Sequence, residues 1–286
     1  MKASSVGGAE VQGTEQRGRW RLIVDAPGSA PLNMAKDEAI LRGLENGQGL
    51  PTLRLYEWRR PAISVGRYQA ADTLNRGAQE SGVQVVRRIT GGRAVLHNME
   101  LTYSVVCDAR HELFTYGIRG AYRAISRCIV GALKDIGVGA ELSLVGSAGA
   151  GGKRDSCFHV PARFEVTAGG RKIVGSSQRR FKRALLQHGS ILFGMDKALT
   201  DAVFGKGASS RMSWVSEFTE SSMEELKRAL PLRVAEGLGV TLEEIEPPCG
   251  EETLIKSLEH SRYSNSAWNI SGTDEVIEDG LKASGI

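Results

Sequence analysis

The chain has 286 residues, enough for one large core or one core with a small appendage. Hydrophobic residues make up 41% and charged residues 24%, a balance that excludes a disordered chain. The net charge of +4 comes without a basic-aromatic module, which argues against nucleic-acid binding and is compatible with acidic protein partners.

There are four cysteines, Cys107, Cys128, Cys157 and Cys249, and none forms a C-x-x-C pair, so no metal site is expected. No 18-residue apolar run occurs, and the start MKASSVGGAEVQGTEQRG lacks the apolar stretch of a signal peptide. The expectation is a cytoplasmic protein with free thiols and no membrane partner.

In chain order, residues 1–17 are small and polar and are expected to form a disordered tail. WRLIVD, from Trp20, reads as a strand. NMAKDEAILRGLE reads as a helix, with Asn33 as N-cap and Asp37 and Glu38 at the positive end of its dipole. Strands follow at 52–58, 62–66, 83–89 and 101–106. In segment 115–137, Tyr122, Ile125, Ile129, Leu133 and Ile136 recur at helical spacing, with Gly137 as the stop. The stretch from Gly146 to Ser156 is too rich in glycine and serine to pack and reads as a loop presenting Cys157 and Phe158. ARFEVTAGGRKIVGS reads as a hairpin turning at Gly169-Gly170, and ALLQHGSILFG as a further strand. The predicted architecture is mixed α/β: a catalytic domain over 18–200 and a helical C-terminal segment over 201–286 packed on it.

Three segments could carry chemistry. In RRITGGRAVLHN, Arg87 and Arg88 leave a strand and enter the Gly91-Gly92 turn, followed by Arg93 and His97. Such a turn can offer backbone N–H groups to an anion or a carbonyl; it can equally be a plain turn between solvated arginines. In GRKIVGSSQRR, Lys172 enters an apolar strand, either as a charge for an acyl oxygen or as a lysine reaching to the surface. In DSCFHV, Cys157 lies within four residues of Lys153, Arg154 and His159, and nearby cations favour the nucleophilic thiolate. Cys107 ends an apolar strand, Cys128 borders the stripe of the long helix and Cys249 lies in the PPCG turn, positions that suit buried packing or an idle exposed thiol. His188 and Gly189 in LLQHGS fit a core histidine better than a catalytic base on residue type alone.

NMAKDEA, RRITGGRAVLHNMELTYS, SCF, GRKIVGSSQRR and LLQHGSILF stand in the order and spacing of the lipoate–protein ligase and octanoyltransferase superfamily. The resemblance covers roughly residues 18–200. The Gly91-Gly92-Arg93 turn and the Cys157-Phe158 pair most resemble its Gram-positive-type octanoyltransferase branch. The resemblance implies a biotin/lipoate protein ligase-like fold with a mixed, largely antiparallel sheet lined by helices. It implies octanoyl transfer from an octanoyl-acyl carrier protein, through a thioester on Cys157, to a lysine of a lipoyl-domain protein. That acceptor is either a glycine-cleavage H type or a dehydrogenase E2 type. Cys157 and Lys172 are the implied catalytic pair. Arg87, Arg88, Gly91, Gly92, Arg93, His97, Gly175, Ser176, Gln178, His188 and Gly189 are the implied substrate-binding residues. No cofactor is implied; ATP would enter under the alternative, an ATP-dependent lipoate–protein ligase.

Overall fold

The computed structural model describes residues 18–71, 74, 80–111, 117–143 and 164–273. The 1–17 tail and the loop carrying Cys157 and Phe158 lie outside the described residues.

The central feature is a six-stranded mixed sheet. Its strands are β1 (Gly18–Val24), β2 (Thr52–Tyr56), β6 (Glu100–Asp108), β10 (Val174–Arg180), β11 (Ala184–Leu192) and β12 (Val240–Glu243), in the order β10-β11-β6-β2-β1-β12. Pairings β10/β11, β11/β6 and β6/β2 are antiparallel, whereas β2/β1 and β1/β12 are parallel. A second sheet holds β3 (Ala62–Val65) between β4 (Gln84–Arg87) and β5 (Val95–His97). A third joins β7 (Ala140–Leu142), β8 (Val166–Ala168) and β9 (Arg171–Lys172).

Helix α1 (Ala30–Glu45) packs on one face of the large sheet, where Met34, Ile40 and Leu41 meet Val106 and Leu186. Helix α2 (Gly117–Asp135) covers the other face with the predicted stripe of Ile125, Ile129 and Leu133, all buried against Tyr103, Val105 and Leu185. Burying each such side chain stabilises by roughly 1.5–3 kcal/mol. The helices α3 (Lys197–Phe204), α4 (Met223–Leu238) and α5 (Glu251–Leu258) follow. Among the described residues no helix is long and apolar enough to cross a membrane.

Three local readings change. Asn33 is not the N-cap of α1: Ser29 accepts the N–H of Leu32 and Pro31 sits in the first turn. Asp37 and Glu38 therefore lie one turn further in, both buried, and each holds an arginine rather than the helix dipole. The segment after residue 200 is not purely helical, because β12 extends the large sheet beside β1 from Gly18↔Val240 to Arg21↔Glu243. The Gly169-Gly170 hairpin does form, with φ of +54° and +71°, the left-handed pair that a two-residue hairpin turn requires.

Candidate active site

The site begins on β11, whose alternation sends His188 toward α1 and Gln187 to the opposite face. His188 Nδ1 lies 2.8 Å from Asp37 Oδ2. Arg54 Nη1 donates to Asp37 Oδ1 at 2.7 Å, and the Tyr56 hydroxyl donates to Asp37 Oδ2 at 2.9 Å. Burial opposes a charge on Asp37, yet the Arg54 guanidinium and His188 outweigh it and hold the carboxyl below its ordinary range. With Nδ1–H directed at that carboxylate, Nε2 faces the Thr90 hydroxyl at 2.7 Å. Thr90 Oγ1 also lies 2.8 Å from Ser177 Oγ and accepts from Arg88 Nε at 3.1 Å.

A second histidine stands opposite. His97 stacks on Trp58 at 3.9 Å between ring centroids, with Nδ1 3.1 Å from Glu100 and Nε2 2.8 Å from Ser64 Oγ. Burial lowers its pKa, which the neighbouring Glu100 only partly offsets. Arg88 donates to the Ser64 carbonyl at 2.7 Å and to the carbonyls of Gly91 and Arg93 at 2.7 and 2.8 Å. Its charge thus fixes the glycine turn.

Between the two histidines lies a narrow pocket. Its walls are Met34, Tyr56 and Val95, the strand pair Gly175–Ser177 and His188–Ser190, and Arg88, His97, Ser64 and Thr102. Gly189 lets β10 and β11 pack closely behind the cavity wall: a Cβ there would stand 2.6 Å from the Gly175 carbonyl and 2.7 Å from Ser176 Oγ, on the α2 side of the sheet. Ser190 Oγ, buried in the wall, has no hydrogen-bond partner among the described residues, so it can meet a ligand atom. The space suits a narrow, flexible chain running past glycine backbone, with polar groups at its margins.

Six of the sequence-predicted residues meet in this cavity: Arg88, His97, Gly175, Ser176, His188 and Gly189. Gly91, Gly92 and Arg93 form the adjoining turn, packed so tightly on Gly66 that a Cβ at Gly66 would lie 2.0 Å from the Gly92 carbonyl. Arg87 turns away and donates to the carbonyls of Gly66, Gln69, Trp268 and Ile270. Gln178 joins Gln187, Tyr103 and Ser176 in a hydrogen-bonded row on the α2 side of the sheet.

Lys172 is buried three residues before Gly175, with Nζ 2.5 Å from Glu165 Oε1. Its backbone bridges Met212, which packs with cavity residue Val95. Cys107 and Cys128 are free and buried; burial raises the Cys107 thiol far above its ordinary range and pushes that of Cys128 up to about 12. Cys249 is exposed in the turn before α5.

The residues missed from sequence are the supports: Asp37, Arg54, Trp58, Ser64, Thr90, Glu100 and Ser190. One signal was present, since Asn33 and Asp37 stand four apart on α1 and both contact Arg54.

A family model described as the lipoyl protein ligase A/B catalytic domain matches residues 29–246. An octanoyltransferase LipM of Carboxydothermus hydrogenoformans is 35% identical over 271 residues, 87% of this chain and 97% of that one. That of Brevibacillus brevis is 34% identical over 88% of this chain and 99% of its own. Among solved structures, lipoate-protein ligase A bound with ATP superposes with TM-score 0.76 at 27% identity, covering 90% of this chain and 100% of that one. A T. acidophilum protein with bound lipoic acid gives 0.75 at 28%, covering 90% and 99%.

Proposed function

From the premise that this chain belongs to the lipoyl protein ligase A/B catalytic-domain family, we propose a route for the reaction it catalyses. The chain is an octanoyltransferase of protein lipoylation. The donor is an octanoyl-acyl carrier protein and the acceptor a lysine of a lipoyl-domain protein.

The Cys157 sulfur attacks the thioester carbonyl, the bond to the carrier's sulfur breaks, and the carrier leaves as its thiol. The acceptor's amine then attacks the new thioester. A C–N bond forms, the Cys157 sulfur departs, and the proton lost by nitrogen returns to it. Splitting the transfer lets two proteins use one site in turn, and since a thioester becomes an amide no ATP is required. Lys172 places positive charge at the acyl oxygen, where charge develops in both steps. The Gly91–Arg93 turn, held by Arg88, lines the acyl head, and the cavity between His97 and His188 takes the tail. Each buried methylene contributes about 0.8 kcal/mol to that fit.

The observation that carries the assignment of Cys157 is the state of the other thiols: Cys107 and Cys128 are sealed in the core, and Cys249 sits before α5, outside the cavity lining. The test is a reconstituted assay with octanoyl-carrier protein and a lipoyl-domain acceptor, without ATP. Octanoyl-amide formation by the intact chain and its loss in Cys157→Ser are expected; near-normal turnover by Cys157→Ser removes the covalent route.

The likeness to an ATP-bound lipoate-protein ligase favours a second reading, activation of free lipoate by ATP. It requires pyrophosphate release on mixing lipoate, ATP and acceptor, with Cys157 dispensable.

A further inference from the structure

We propose that the surface patch formed by Arg67, Tyr68 and Arg179 docks the acidic protein that delivers the acyl thioester. The proposal rests on the reading of the chain as an acyltransferase fed by a carrier protein.

Tyr68 is 80% exposed, more than any other large hydrophobic side chain among the described residues. It is nevertheless held in place. Arg179 Nη1 donates to its hydroxyl at 3.3 Å, and the Arg67 guanidinium lies 5.8 Å from its ring and 5.3 Å from that of Trp268. The hydrogen bond and charge of Arg179, with help from Arg67, draw the phenol below its ordinary range. The loop beneath is fixed: Arg87 Nη1 donates to the carbonyls of Gly66, Arg67 and Gln69, and Arg67 N–H bonds the Thr90 carbonyl. Little ordering entropy therefore remains to be lost when a partner binds.

Among the described residues Arg179 forms no ion pair, so its charge is not neutralised by a neighbouring carboxylate; its Nε is buried and the outer guanidinium nitrogens are the ones that can meet a partner. Tyrosine and arginine are the residue types that most often dominate binding energy at protein interfaces. The patch also adjoins the cavity. Arg179 follows Ser177 on the same face of β10, about 7 Å further along the strand, and Ser177 lines the cavity. A groove beside β1 carries Glu244, Glu246 and Glu252 with Arg21 and Lys36; its acidic groups repel an acidic protein.

The experiment compares three donors, octanoyl-acyl carrier protein, octanoyl-CoA and uncharged S-octanoyl-pantetheine, with the intact chain and with Arg67→Gln, Arg179→Gln and Tyr68→Ala. Expected is a KM for the carrier donor raised about fivefold or more in each variant, with kcat retained. The intact chain's KM for the carrier should also rise with salt, while KM for octanoyl-pantetheine stays unchanged throughout. Tyr68→Ala alters a fully surface-lying side chain, so its result stands even if an arginine variant loses stability. An unchanged carrier KM overturns the patch, as does an equal shift with octanoyl-pantetheine. An equal shift with octanoyl-CoA also overturns it, in favour of a small phosphate site, and a shift in the acceptor's KM alone overturns the donor assignment. Turnover by the intact chain from none of the three thioesters overturns the acyltransferase reading together with the patch.

Discussion

His188 on β11 and Asp37 on α1 meet across the boundary between sheet and helix, Nδ1 to Oδ2 at 2.8 Å, both side chains nearly sealed from solvent. Asp37 in turn holds Arg54, whose Nε reaches Asp25 at 2.6 Å. The histidine in the cavity wall is thus oriented by a buried carboxylate that is itself neutralised by an arginine. Asp37→Ala leaves Arg54 with Asp25 and Asn33 alone and should cost about 1–3 kcal/mol in urea unfolding. Octanoyl transfer should fall in the surviving folded fraction, because His188 and Thr90 lose their alignment.

The same carboxylates set an acid limit. Burial resists charge on Asp37 and Glu38, but Arg54 beside the first and Arg262 beside the second win, so both folded pKa values lie below the ordinary range. Each contributes stability that is fully present above the unfolded values of about 3.9 and 4.3, and that is lost as pH falls through the folded values. Unfolding followed from pH 6 to pH 2 should show this loss. A Glu38→Gln variant should show a shallower acid slope.

His97 adds a dependence of the same sign at higher pH. Burial lowers its folded pKa, so between that value and about 6.5 the unfolded chain binds the extra proton and stability rises with pH. Above about 6.5 the contribution is complete. Imidazole ¹⁵N shifts should show the His97 ring taking up its proton only at lower pH than a free imidazole, and His97→Gln should remove that part of the stability slope.

Much of the architecture could be read from residue pattern. The Ile125–Ile129–Leu133 stripe lies where its spacing places it, and the Gly169-Gly170 turn forms as written. The six predicted residues of the cavity wall, from Arg88 to Gly189, stand in the ordered motifs that carry the family resemblance. What stayed hidden depended on long-range pairing. Asp37 reads as a helix-start acid until Arg54 and His188, far away in sequence, are brought to it. β12 has a short strand's weak pattern and gains its place from the free edge of β1. Arg87 and Arg88 are indistinguishable as neighbours in a chain, but strand alternation turns one to the glycine turn and the other to the backbone of 66–69 and 268–270.

The Lys172–Glu165 pair separates charge placement from folding. Lys172→Met leaves Glu165 buried beside a hydrocarbon, so both stability and transfer should fall, transfer by roughly 10²-fold or more. Adding Glu165→Gln should recover most of the stability and none of the transfer. Recovery of turnover in the double variant would deny Lys172 its electrostatic role.

Gly189→Ala tests the seam between β10 and β11. The added methyl would stand 2.6 Å from the Gly175 carbonyl and 2.8 Å from Tyr103, on the α2 side of the sheet, and must push the two strands apart. A cost of about 1–3 kcal/mol in urea unfolding is expected.

Intact-protein mass spectrometry after brief mixing with octanoyl-acyl carrier protein, with acceptor and ATP both omitted, bears most directly on the covalent route. The account predicts one octanoyl adduct, mapped by peptide fragmentation to Cys157, discharged on adding a lipoyl-domain acceptor, and absent in Cys157→Ser. Efficient transfer with no adduct at any time, or an adduct on Cys249, would contradict it.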